Sequence, residues 1–168
     1  MKKLILMRHA KSSWADSDVT DIDRDLGERG RKAADDLGKW FEADAITPDQ
    51  VILSSAKRCQ ETWELIAKSL TKSPKITTDA KLYMTTVEDT LDIIKAQASG
   101  DSVMILGHQP TIGLLARALR VDPAPSHEAF DKYPTGATTI LELPIDDWSE
   151  ITLGTAHLER YMTPKELA

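Results

Sequence analysis

The sequence predicts an α/β protein: one three-layer domain spanning residues 1–168, with a mostly parallel central sheet and helices on both of its faces. Two observations carry this. Short, nearly continuous apolar runs recur at "KLILM" (3–7), "QVILS" (50–54) and "SVMIL" (102–106), the pattern of central parallel strands covered on both sides. Each run is followed by a segment of helical periodicity, and strand–helix alternation with right-handed crossovers builds a parallel sheet.

The first strand ends abruptly in Arg8 and His9. After it, "GERGRKAADDLGKWFEA" (27–43) sets Ala33, Leu37, Trp40 and Phe41 on one helical face. Following the second strand, Ser54 and Ser55 are placed to cap a helix that buries Cys59, Trp63, Ile66 and Leu70. A third helix opens on the capping-box-like "TVED" from Thr86 to Asp89 and buries Val87, Leu91, Ile94 and Ala98. The fourth starts at Pro110, a good first helical residue, and buries Ile112, Leu115 and Leu119. Residues 121–136 carry three prolines and read as a long loop. Beyond them, "ATTILEL" (137–143) and "EITLGTAHL" (150–158) flank a turn and read as a hairpin closing the sheet edge.

Bulk properties narrow the function classes. At 168 residues the chain fits about one domain, able to bury roughly 70% of the surface its unfolded form exposes. With 41% apolar and 29% charged residues, it is too apolar for a disordered protein. Cys59 has no partner cysteine, which suits a reducing compartment. "MKKLILM" begins like a signal peptide, but Arg8 and His9 cut the apolar stretch short, and no other run reaches membrane-spanning length. The protein is therefore expected to be cytoplasmic and to bind neither membrane nor nucleic acid, since its net charge is −6. Oligomeric state stays open.

In an open α/β sheet, ligands bind outside the carboxyl ends of the strands. Three polar insertions fall there: "RHAKSSW", "SSAKR" and "GHQP". They bring Arg8, His9, Arg58 and His108 to one expected pocket, with Lys11 and Arg24 as further candidates for holding substrate and the 11–25 and 121–136 loops framing the mouth. Two guanidinium forks match a tetrahedral oxyanion, and helix N-termini add positive charge. A histidine in such a cage can attack phosphorus through an unprotonated nitrogen while a second donates to the equatorial oxygens. No metal and no cofactor is expected, because the cations already supply the charge.

Rival phosphate chemistries fail on spacing. A cysteine phosphatase needs an arginine where Leu65 follows Cys59, and "GERG" continues into Arg31 and Lys32 where a P-loop needs Lys and then Ser or Thr. The acidic run from Asp16 has Asp21 at a calcium loop's glycine position and Gly27 at its closing glutamate. No His or Cys grouping has zinc spacing, and His127 and His157 read as structural or exposed.

"LMRHA", "LSSAKRCQET" and "ILGHQP" resemble the three signatures of the histidine phosphatase superfamily, the phosphoglycerate mutase-like fold. "RHAKSSW", "DRDLGERG" and "PTGATTILEL" are most similar to its SixA-type phosphohistidine phosphatases. The resemblance implies that His9 is the nucleophile, that Arg8 and Arg58 bind the phosphoryl group and that His108 completes the pocket. It also implies a phosphohistidine-bearing protein as substrate, with a small phosphate ester, or a non-catalytic phosphate-binding module, as alternatives. Ala10 stands where the family's best-known motif has glycine. The glutamate that serves the family's monoesterases as general acid has no obvious counterpart, and Glu88 and Asp89 are the nearest candidates.

Overall fold

The first strand, β1 (Lys2–Arg8), shows how the core is divided, because successive side chains of a strand point to opposite faces. In the computed structural model, which describes residues 1–168, Leu4 and Leu6 join one apolar cluster while Ile5 and Met7 join another. The Ile5 side is covered by α1 (Glu28–Ala43) and α2 (Lys57–Ala67). The Leu4 side is covered by α3 (Val87–Gln97) and α4 (Thr111–Leu119). The result is a three-layer α/β domain.

The remaining strands are β2 (Gln50–Leu53), β3 (Lys75–Thr78), β4 (Ser102–Gly107), β5 (Thr138–Leu143) and β6 (His157–Met162), and a short α5 (Pro164–Leu167) follows. The sheet order is β3-β2-β4-β1-β5-β6. β1, β2, β3 and β4 run parallel, while β5 and β6 form the expected antiparallel hairpin on the β1 side. Parallel connections through α1 and α2 move one way along the sheet and that through α3 moves back, so right-handed crossovers place α3 opposite α1 and α2, and α4, leading into antiparallel β5, packs into the same cluster as α3. The crevice where they part lies at the carboxyl ends of β1 and β4.

Several local expectations shift. Ala34, not Ala33, faces the core from α1, alongside Leu37, Trp40 and Phe41. Leu70 lies beyond the end of α2, and Thr90 and Ile93 take buried places on α3 where Val87 and Ala98 are only partly covered. Ala56 is the N-cap of α2, so neither serine caps it; Ser54 faces the site instead. Pro110 is the N-cap of α4, one residue before its first turn. The final strand begins at His157, not near 150, because a capping box between Asp147 and Glu150 winds Trp148–Glu150 into a 3-10 turn. β3 escaped the reading because an exposed edge strand, "KITT", carries no buried alternation, and the four-residue α5 was also missed. The 121–136 stretch is a loop, yet it is anchored: Phe130 and Tyr133 are buried and the Tyr133 hydroxyl donates to the Leu6 carbonyl at 2.8 Å.

One close approach positions the loop after β1. A Cβ on Gly30 would stand 2.0 Å from the Lys11 carbonyl oxygen, so only glycine lets α1 lie against that backbone. Gly30→Ala is expected to destabilise the fold by about 1–3 kcal/mol, read as a lower urea midpoint, and to cost activity through the displaced Lys11–Ser12 segment. A variant with parental stability would show that the contact relaxes freely.

Candidate active site

The parallel register of β1 and β4 pairs Arg8 with Gly107, so the next residues, His9 and His108, emerge side by side. The His9 N–H donates to the Gly107 carbonyl at 3.0 Å, and the two imidazole centroids are 5.3 Å apart. β2 flanks β4 on its other side and delivers Ser54, whose hydroxyl lies 2.8 Å from His108 Nε2. From the first turn of α2, Arg58 reaches between the rings, its Nε 3.4 Å from His9 Nε2 and one Nη 3.4 Å from His108 Nδ1. With Ser54 buried behind them, His9, Arg58 and His108 line a cavity of about 750 Å³.

The predicted residues all converge on it. Arg8, His9, Arg58 and His108 form its floor, Lys11 lines it as an exposed side chain, and Arg24 is buried in its wall. Arg24 bonds the Ser12 hydroxyl, sits 3.6 Å from Asp21, and stacks its guanidinium 3.5 Å from the Trp14 ring. It therefore both lines the cavity and balances one of the five neighbouring aspartates. His127 and His157 lie elsewhere, against Glu166 and Asp122. Cys59 is buried in the core as expected, although its sulfur also comes within 3.6 Å of His108 Nε2.

Other residues of the site were not foreseen. Asp21 seats Arg58 twice, its carbonyl accepting at 2.7 Å and its carboxylate at 3.1 Å, while Tyr83 donates to the same carboxylate at 2.5 Å. Nothing distinguishes this aspartate from four neighbours in an exposed loop. Tyr133, with φ of 48°, holds left-handed backbone and offers its carbonyl to Arg8 at 3.0 Å. Gly136, with φ of 77°, donates its N–H to the carbonyls of both Arg8 and His9. Glu88 and Asp89 are not in the cavity: they belong to the first turn of α3, where the Thr86 hydroxyl accepts from the Asp89 N–H. The cavity's single carboxylate is Asp21, and hydrogen bonding from Tyr83, with the Arg58 charge beside it, holds that group below the usual range.

Burial sets the protonation of the histidines. Desolvation pushes His9 down to about 3, against the opposing pull of its bond to the Ala10 carbonyl and with help from His108, Arg58 and Arg8. Desolvation and Arg58 lower His108 to about 4. His9 Nδ1 donates to the Ala10 carbonyl at 2.7 Å, which leaves Nε2 as the unprotonated nitrogen facing the cavity. Arg8 is lowered by burial and by the facing Arg58, and its Nε is buried without a partner. Two guanidiniums and two desolvated imidazoles around one space can accommodate an oxyanion and offer it a lone pair.

An uncharacterised Mycobacterium tuberculosis protein, Rv1276c, is 30% identical over 166 residues, which span 95% of this chain and 100% of that one. Residues 4–83 match the histidine phosphatase superfamily (branch 1). The chain belongs to the histidine phosphatase superfamily. Among solved structures, a protein assigned by name as phosphohistidine phosphatase SixA from Nakamurella multipartitia superposes with a TM-score of 0.81 at 28% identity, over 97% of this chain and 96% of that one. A protein of the same assigned name from Agrobacterium tumefaciens gives 0.76 at 25%, over 97% and 98%. This member of the superfamily is thus SixA-like in architecture, the phosphoglycerate mutase-like fold is the one observed, and membership supports phosphatase activity.

The low histidine values have a sign that can be measured. Unfolded histidine takes up a proton near 6.5, whereas folded His9 and His108 do so near 3 and 4. The unfolded chain therefore binds more protons between those limits, and stability falls as pH drops from about 6.5 toward 3–4. Imidazole resonances of His9 and His108 are expected to remain in the neutral form from pH 8 to pH 5, with urea stability declining over pH 6.5 to 4. Protonation of His9 near 6.5 would contradict the desolvated site.

Proposed function

We propose that this protein is a metal-independent phosphatase that transfers the phosphoryl group through His9 and acts on phosphohistidine carried by proteins. The observation that carries the reading is the charge inventory of the cavity. Its floor holds two guanidiniums and a nucleophile-ready imidazole, Arg24 and Lys11 add positive charge from the wall, and the one carboxylate is already committed to Arg58 and Tyr83.

In the proposed reaction, His9 Nε2 forms a bond to phosphorus as the bond to the leaving group breaks, with Arg8, Arg58 and His108 stabilising the charge spread over the equatorial oxygens. His108 enters neutral, and the arriving dianion raises its proton affinity so that it can donate. Water then attacks phospho-His9. The Nδ1–H bond to Ala10 keeps the distal nitrogen protonated, so His9 leaves as neutral imidazole and inorganic phosphate is released.

The first leaving group decides the substrate class. An alkyl ester expels a strongly basic alkoxide unless an acid protonates it. Asp21, held ionised, is a poor source of that proton. Phosphohistidine expels an imidazole whose conjugate acid has a pKa of about 6.5, and solvent near neutrality protonates its second ring nitrogen before departure. Exposed Trp14 and Met84 border the cavity and leave its mouth open to a side chain displayed on a protein.

His9→Ala is expected to abolish turnover with stability close to parental, and rapid acid-free quenching of the parent should trap an acid-labile, base-stable phosphoenzyme. The parent kcat/KM for phosphohistidine should exceed that for glycerol phosphate by about three powers of ten or more, each factor corresponding to about 1.36 kcal/mol of barrier. Comparable rates on the two substrates would mean that a general acid operates after all. Activity should also survive exhaustive EDTA treatment, because the arginines supply the charge that Mg²⁺ supplies elsewhere; a loss restored by Mg²⁺ or Zn²⁺ would overturn metal independence.

A further inference from the structure

Next to the catalytic cavity lies a second groove of about 570 Å³, between the start of α1, the Ala129–Thr135 segment and α5. The two are continuous: Lys11, Pro134 and Thr135 line both. The groove's other cations are Arg29, Lys32 and Lys165, against one side-chain carboxylate, Asp36, which Lys32 neutralises at 2.9 Å. Lys11, Arg29 and Lys165 are exposed and make no salt bridge. An acidic protein, of net charge −6, thus keeps three cations that make no salt bridge together beside its active site.

We propose that this groove is a docking surface for an acidic segment of the phosphorylated protein substrate, an inference that rests on the function proposed above. Lys11 borders both spaces, whereas Arg29 and Lys165 lie outside the catalytic cavity, whose floor already surrounds the phosphoryl group. Aligned with that cavity, they suit carboxylates flanking the modified histidine on the same partner. Such exposed charges act mainly on encounter and orientation and are screened by salt. They should therefore govern KM for a protein substrate and leave the chemical step alone.

The test compares the full-length parent with the Arg29→Glu/Lys165→Glu double variant on two substrates: an acidic protein chemically phosphorylated on histidine, and free phosphohistidine. The double variant is expected to raise KM for the phosphoprotein by roughly tenfold with kcat unchanged, to leave kcat/KM for free phosphohistidine within about twofold, and to lose most of the salt dependence that the parent shows toward the protein. An unchanged KM for the phosphoprotein, or an equal loss on both substrates, overturns the docking surface. Should the double variant fold poorly, Lys165→Gln and the parent's salt dependence carry the same comparison, and a salt-independent parent KM overturns the proposal. A parent active on free phosphohistidine but not on the phosphoprotein rejects the groove and its protein partner while keeping the catalytic chemistry. Inactivity on both rejects the proposed function itself.

Discussion

Everything in the site depends on the register between β1 and β4. Pairing of Arg8 with Gly107 puts the residues that follow them at the same height on adjacent parallel strands, and only then do His9 and His108 share a cavity. A slip of one residue would turn every β1 side chain to the opposite face and bury Arg8 where Met7 now packs. The register is held from both directions. Leu4 and Leu6 belong to one apolar cluster and Ile5 and Met7 to the other, so neither layer tolerates the exchange.

Around that pair, distant segments supply the rigid parts. Tyr133 and Gly136 use left-handed backbone to aim a carbonyl at Arg8 and an N–H at the Arg8 and His9 carbonyls. Tyr133 can hold this conformation because it is wholly buried and its hydroxyl is tied to β1 and to Thr139. Strain of this kind persists when surrounding contacts over-determine it. On the opposite wall, Asp21 and Tyr83 come from unrelated loops and meet over the Arg58 guanidinium.

The electrostatics follow from burial. Bringing two arginines and two histidines together without water would be costly if all four were charged. The cost is limited because desolvation keeps the histidines neutral, while Asp21 and the Tyr133 carbonyl absorb part of the guanidinium charge. What remains is positive potential around a neutral imidazole lone pair. Those are the conditions for attack on a phosphoryl group, since the field attracts the anion without protonating the nucleophile.

The sequence by itself determined the layers and the floor of the site. Short continuous apolar runs, each followed by a helical segment, are the pattern of two-sided parallel strands, and the polar residues that end such strands fall at the carboxyl edge of the sheet, so Arg8, His9, Arg58 and His108 were legible together. Its errors lay where a signal was local or weak. Ser54 has the composition of a helix cap and became a partner of His108, because the end of β2 stands beside the end of β4. The last strand was read seven residues early because a capping box outweighs a short alternation. Tertiary structure alone decided that one aspartate of five would seat Arg58, that Tyr133 would hold Arg8, and that Glu88 and Asp89 would stay outside the cavity. The physical reason is common to all three: these roles are set by which loops meet in space, and a loop's sequence records its polarity but not its neighbours.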